Sequence, residues 1–338
     1  MSSIKIICFC TLFLITSNAL AGTPQDTSTL SYDALLSNYD YDFEVSYFAV
    51  DSQKQSLKMV YVYLKPTKVD MPVVTLLHGK NFNAHYWTTT AQYLQSLGYG
   101  VLIPDQIGFG KSSKPMDYQY SFAALAHHTH ALMDSLNIKK SIVLGHSMGG
   151  MLASRFALMY PTTTSKLILL NPIGLENYLQ YVDYKDTNFF YKNELSKTPE
   201  GVKRYQQKYY YDGKWNATYS ALTNFIVGQI QGPDKEQMAW VNAKTYDMIF
   251  TQPVITEFKD LAVPVKLIIG TRDRTGPGRN WKKDGVDYEL GRYDKLGKHA
   301  ATLIPDAQLF ELDNLGHLPH IEDFERFKNV LQKALTTK

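Results

Sequence analysis

The sequence predicts an α/β protein, a mostly parallel central sheet with helices on both faces, interrupted late in the chain by a mainly helical insertion. Three observations carry this. The strand-like segments after Pro66 are continuous apolar runs, which marks strands buried on both faces. Helix-like stretches with apolar residues at helical spacing stand between them, and strand alternating with helix is the rhythm of a parallel sheet covered on both sides. That rhythm breaks from about 175 to 260, a tract that holds ten of the 24 tyrosines plus Trp215 and Trp240 and no buried-strand run.

In chain order, Lys5, an apolar stretch from Ile6 to Ile15 and the small-residue pattern Ala19-Leu20-Ala21 predict a signal peptide over residues 1–21, too short in its apolar run to span a bilayer. The expectation is export to a periplasmic or secreted location, with no membrane span once the signal is removed. Residues 22 to about 40 are polar and predict a loosely held arm. Phe43 to Val50 and Leu57 to Leu64 are rich in β-branched and aromatic residues and read as an antiparallel hairpin around the polar turn from Asp51 to Gln55. The buried strands are Val73 to Leu77, Val101 to Ile103, Ile142 to Leu144, Leu167 to Leu170 and Val265 to Ile269, with helices near 85–97, 121–137 and 149–160. A helix near 290–303, a short strand from Gln308 to Leu312 and a helix over 321–336 complete the chain. The division is therefore 22–174 and 261–338 for the core, with 175–260 as a lid or cap inserted between them.

Composition narrows the function classes. The 338 residues are 44% hydrophobic and 20% charged, which fits a globular protein. Lys+Arg at 35 against Asp+Glu at 32 gives a net charge of +3, and there is no basic run, so a nucleic-acid partner is not expected. Removing residues 1–21 takes away Lys5, leaving +3 − 1 = +2. It also removes both cysteines, Cys8 and Cys10, and with them disulfide and thiol chemistry.

The chemistry-bearing motif is Gly145-His146-Ser147-Met148-Gly149-Gly150, which follows a buried strand and opens a helix. In that context G-x-S-x-G is a nucleophile elbow: small residues two before and two after the serine permit a strained strand-to-helix turn that exposes its hydroxyl. A serine needs a base, and the base needs a carboxylate to fix its tautomer. The chain order that accompanies this elbow is serine, acid, histidine. Downstream of Ser147 stand three histidines, His299, His317 and His320. His317 follows a short strand in a loop at the carboxyl end of the sheet, where sites form in open α/β folds. His299 lies in a helical stretch and His320 at the start of the last helix, and both are expected to be solvated. Asp273 ends a strand in Gly270-Thr271-Arg272-Asp273 and is the candidate acid; Glu176, just after the Leu167 strand, is its rival.

With these residues assembled, the chain resembles the α/β-hydrolase fold superfamily across most of residues 45–335. The resemblance rests on His78-Gly79 after the first long strand, Asp105 with Gly108-Phe109-Gly110-Lys111-Ser112, the serine elbow, Asp273 and His317. It implies that the backbone N–H groups of Lys80 and Met148 form the oxyanion hole. Members with an aspartate nucleophile include dehalogenases and epoxide hydrolases, and Ser147 argues against both. The Lys80 side chain is read as a solvated lysine at the pocket rim.

Other signals carry less. Asp105 to Ser112 lacks the first glycine of a Walker A loop. His127, His128 and His130 sit in a helix without an acidic or cysteine partner and are read as structural. Asn216-Ala217-Thr218 fits a glycosylation acceptor. No cofactor or metal is expected. The reading is an exported serine hydrolase acting on a carboxylic ester or related acyl compound, with a small-molecule acyl substrate as its partner. The alternatives keep the same residues for C–C or amide cleavage or acyl transfer, or make the fold a small-molecule binding protein with little turnover.

Overall fold

The computed structural model describes residues 29–337; the expected signal peptide lies outside them. One eight-stranded sheet organises the chain. Its strands are β1 (Ser46–Ser52), β2 (Gln55–Leu64), β3 (Val73–Leu77), β4 (Gly100–Pro104), β5 (Ser141–His146), β6 (Thr164–Leu170), β7 (Val265–Gly270) and β8 (Ala307–Leu312), in spatial order β1-β2-β4-β3-β5-β6-β7-β8. The β1/β2 and β2/β4 pairs are antiparallel and all others are parallel. The apolar runs are the buried strands: every residue of β3, β4, β5 and β7 is buried. The hairpin turn is tighter than expected, because Gln53 and Lys54 both adopt positive φ (50° and 60°) and close a two-residue turn between the paired Ser52 and Gln55.

The helices are α1 (Thr88–Leu97), α2 (Phe122–Ser135), α3 (Met148–Met159), α4 (Thr187–Leu195), α5 (Pro199–Tyr209), α6 (Ala217–Ala221), α7 (Asn224–Gln231), α8 (Lys235–Thr251), α9 (Tyr293–Leu303), α10 (Pro319–Glu322) and α11 (Phe324–Thr336). Alternate strand residues feed two apolar layers. Leu102, Val143 and Leu167 meet Leu125 of α2, Met151 of α3 and Leu296 of α9 on one face. Val101, Leu144 and Ile168 meet Leu94 of α1 and Phe327 of α11 on the other. Helix ends follow local chemistry: Ser121, Asp186, Thr198, Asn216 and Asp323 each accept a backbone N–H as N-cap, and Gly98 at φ 105° ends α1. The final helix breaks in two at Asp323, whose cap starts α11 afresh. Between β6 and β7 lie α4 to α8, the mainly helical insertion.

The segment expected as a loose arm is docked from Leu30 onward. Tyr32 N–H donates to the Gly228 carbonyl at 3.0 Å, Ala34 N–H to Asp234 Oδ2 at 2.8 Å, and Lys111 Nζ to the Leu36 carbonyl at 2.7 Å. Ala34 and Leu36 are buried, so two apolar side chains in a mostly polar run add to the hydrogen bonds that seat it against α7 and the loop after it. Among the described residues no helix is long and apolar enough to cross a membrane.

Candidate active site

Ser147 stands between β5 and α3 with φ 55° and ψ −122°, a conformation an L-residue holds only when its surroundings impose it. The flanking glycines make room for it. A Cβ on Gly149 would lie 2.2 Å from the Leu77 carbonyl oxygen, and one on Gly145 would lie 2.0 Å from that of Gly149. The serine hydroxyl is therefore raised at the carboxyl edge of the sheet.

His317, in the loop after β8, brings Nε2 to 3.0 Å from Ser147 Oγ and Nδ1 to 2.7 Å from Asp273 Oδ2. All three residues are buried. Asp273 also accepts from Asn171 Nδ2 at 2.9 Å and from the Thr275 N–H at 2.7 Å. Burial works against its charge, but His317, Asn171 and the Thr275 N–H together hold its carboxyl below the usual carboxylate range. The loops carrying the pair are fastened to each other: Arg272 is bonded to Glu322, and Glu322 Oε2 accepts the Gly316 N–H at 2.8 Å. A histidine so placed can take a hydroxyl proton as the oxygen attacks an electrophile, with the carboxylate fixing the tautomer.

Behind the serine runs a second chain of hydrogen bonds that sequence reading missed. His146 Nε2 meets the His317 carbonyl at 2.8 Å and must donate to it, so Nδ1 is an acceptor. Tyr86, 3.0 Å from that Nδ1, donates its hydroxyl proton there, and its oxygen accepts the Gly79 N–H at 3.1 Å. Burial, with His317 and His320 nearby, keeps the His146 pKa well below the histidine range, and burial holds Tyr86 protonated. The His78-Gly79-Lys80 turn and the His317 loop are thus tied through one neutral imidazole. His78, buried, accepts the Gln106 N–H at Nε2 (3.1 Å) and donates from Nδ1 to the Gly79 carbonyl (2.9 Å). Tyr210 of the insertion covers His317 with ring centroids 4.6 Å apart and receives Asn81 Nδ2 on its hydroxyl.

Met148 opens α3, so its N–H is one of the helix's unpaired donors beside Ser147. Lys80 stands one residue past Gly79, whose Cβ position is 3.1 Å from Ser147 Cβ.

Two expectations about side chains near the serine are corrected. The Lys80 side chain is half-buried rather than solvated: Nζ donates to Asn242 Oδ1 at 3.1 Å and Thr245 Oγ1 at 3.0 Å, both on α8. The insertion reaches over it, and burial lowers its pKa to about 7, with the Glu194 carboxylate opposing. His320 is buried against Trp87, centroids 4.7 Å apart, because α10 is a single turn packed inward. Burial drives its pKa down to about 3. The rival acid Glu176 points elsewhere, its two carboxylate oxygens each 3.2 Å from the Gly291 N–H, and burial raises its pKa to about 7. His299 is exposed. The helix α2 histidines are engaged locally: His128 Nε2 meets the Tyr118 hydroxyl at 2.8 Å, and His130, expected to lack an acidic partner, has one a helical turn later in Asp134 at 3.2 Å.

A cavity of about 270 Å³ opens beside Ser147, walled by Phe190, Val202, Tyr205 and Ile249 of the insertion and by Trp281.

Comparison with known proteins agrees with this architecture. The model of the alpha/beta hydrolase fold matches residues 72–324. A crystal structure of a probable hydrolytic enzyme from Pseudomonas aeruginosa PAO1 superposes with a TM-score of 0.89 at 43% identity, covering 91% of this chain and 99% of that one. Lipase 1 of Psychrobacter immobilis is 23% identical over 97% of this chain and 98% of its own length. Lipase 3 of Moraxella sp. (strain TA144) is 24% identical over 94% and 96%. This chain is a member of the α/β-hydrolase fold family.

Proposed function

We propose that the protein is an exported serine hydrolase that cleaves a carboxylic ester or related acyl compound through an acyl-enzyme. The observation that carries this reading is the unbroken hydrogen-bond chain from Ser147 through His317 to Asp273 beside a cavity. Ser147 Oγ attacks the acyl carbon as His317 Nε2 takes its proton; His317 then returns that proton to the departing alkoxide, leaving the acyl group on Ser147. Water, deprotonated by His317, attacks the acyl-enzyme, and the proton passes back to Ser147 as the acid leaves. Asp273 stabilises the imidazolium in each half.

The N–H groups of Lys80 and Met148 serve as the oxyanion hole, where each donor is worth about 10²–10³ in rate. The insertion acts as a lid that shapes the acyl pocket, a role favoured by the cavity-lining side chains that α4, α5, α7 and α8 contribute. Export is supported by the run from Lys5 through Ala21. The lipase relatives favour ester hydrolysis over the other reactions that the same residues permit.

The test is fluorophosphonate labelling followed by turnover of a panel of soluble acyl esters, with Ser147→Ala beside the wild type. Labelling at Ser147, and retention by the variant of less than about a thousandth of kcat/KM, are the expected results. Full activity in Ser147→Ala would require another nucleophile.

A further inference from the structure

The cavity wall carries polar groups that the protein itself leaves unanswered. Gln206, on α5, is only 1% exposed and lines the cavity, yet neither its Oε1 nor its Nε2 has a hydrogen-bond partner. The same holds for the Thr275 hydroxyl, 6% exposed, and the Trp281 indole N–H, which line it as well. A buried amide with both ends bare is costly in a folded protein, and such groups are normally paired. Because both atoms are free, the interchange of the two ends of the amide changes nothing.

The remaining wall mixes apolar side chains, Ile173, Phe190, Val202 and Ile249 among them, with tyrosines, asparagines and two lysines that already have partners: Lys80 is bonded to Asn242 and Thr245, and Lys197 is paired at 2.6 Å with Glu194, the one acidic side chain of the lining.

We infer that this cavity is a subsite for an amide carried on the acyl chain, with Gln206 pairing to it through both atoms of its own amide. The inference rests on the proposed ester hydrolysis and names its substrate class: acyl esters whose chain bears a secondary amide. The complementarity is chemical. A secondary amide presents a C=O to Gln206 Nε2 and an N–H to Oε1, while its carbonyl keeps a lone pair for the Thr275 hydroxyl or the Trp281 N–H. A carboxylate answers only the donors and faces the bare Oε1 with like partial charge. An alkyl chain answers none of the three, and a site built to hydrogen-bond its substrate rejects the analogue that lacks the partner. The apolar part of the wall, Ile173, Phe190, Val202 and Ile249, takes the methylenes on either side.

The experiment compares kcat/KM for p-nitrophenyl esters of equal chain length: an all-methylene chain, chains with one secondary amide at successive positions, and a chain ending in carboxylate. At one position the amide ester should exceed the alkyl ester by about tenfold or more. Gln206→Leu should bring that ratio close to one while leaving the alkyl ester as good a substrate as before, or better. Gln206→Glu, of the same shape, should also lose the amide preference and covers the case in which the leucine variant does not fold. Equal rates at every amide position, a preference that survives both substitutions, or a preference for the carboxylate chain overturns the inference.

Calorimetric binding of the same esters to Ser147→Ala separates the two readings. If the amide ester binds about tenfold more tightly than the alkyl ester but wild-type protein hydrolyses neither, the ester-hydrolase reading falls and the amide subsite stands. If hydrolysis proceeds without an amide preference in either measurement, the subsite falls and the hydrolase reading stands.

Discussion

Replacing Tyr86 by phenylalanine tests the wiring behind the serine. The hydroxyl has two partners, the Gly79 N–H and His146 Nδ1, and Tyr86 and His146 are both buried. Removing it orphans a donor and an acceptor, each worth about 1–3 kcal/mol when left unpaired. The phenyl ring stays packed on Phe82 at 4.6 Å, so no cavity term is added. The expected loss of stability is about 2–4 kcal/mol, the lower part of that sum, because the hydroxyl's own burial cost disappears with it. For a chain of 338 residues that lowers the melting temperature by roughly 3–6 °C. Activity should change in a way that mere destabilisation does not produce. The freed Gly79 peptide leads directly into Lys80, one of the two proposed oxyanion donors, so kcat should fall by about tenfold while KM stays within about twofold, the signature of a contact made in the transition state. Thermal melts with steady-state kinetics on one soluble ester, below the variant's melting range, read both quantities. A melting shift under about 1 °C, or a rise in KM with kcat intact, would refute the assignment of Tyr86 as the link between the two loops.

Asp273→Asn should lower kcat by about 10⁴ by leaving His317 in the wrong tautomer, whereas Glu176→Gln, bonded to Gly291 and not to His317, should stay within about tenfold; steady-state kinetics that reverse this order would move the acid to Glu176. Glu176 also predicts a pH dependence of stability: its carboxyl is raised from 4.5 to about 7, so between those values the folded state binds more protons than the unfolded one and stability falls as pH rises. Relative to Glu176→Gln, the wild type should lose up to about 3 kcal/mol between pH 4.5 and 7, and parallel curves in urea titrations across that range would show that the buried carboxyl is not the cause. Within residues 175–260 the only large hydrophobic side chains left exposed are Tyr184 and Tyr205, so no broad apolar face is available to an oil surface. Rate against concentration of a short-chain ester should therefore pass its solubility limit without a jump, and a steep rise at that limit would make the insertion an interfacial lid.

The residues legible in the sequence are those whose identity is dictated by backbone geometry or by chain order. Only small residues fit at 145 and 149 around the strained Ser147, and the strand that precedes it has to be apolar on both faces, so a local pattern of ten residues was enough. His317 and Asp273 could be reached by order along the chain and by their position at strand ends. Asn171, which steadies Asp273 from the end of β6, stands at an equivalent edge and could have been found by the same rule.

What failed to show belongs to side chains whose surroundings come from far away in the chain. Lys80 reads as a surface lysine until α8, some 160 residues later, lays Asn242 and Thr245 across it. His320 reads as solvated because its neighbours in sequence are ordinary, while the ring that covers it, Trp87, is more than 200 residues earlier. Gln206 is the same case at the cavity: a glutamine on a helix surface is the commonest of residues, and only the closure of the insertion over β6 and β7 turns it into a buried amide without partners. The split follows from what each part of the site must do. In the proposed reaction, attack on an acyl carbon asks for fixed residue types at fixed local geometry, whereas selection of the acyl chain would be set by which distant surfaces meet above the serine. The proposed catalytic half can therefore be read along the chain, and the half proposed to choose the substrate has to be read across it.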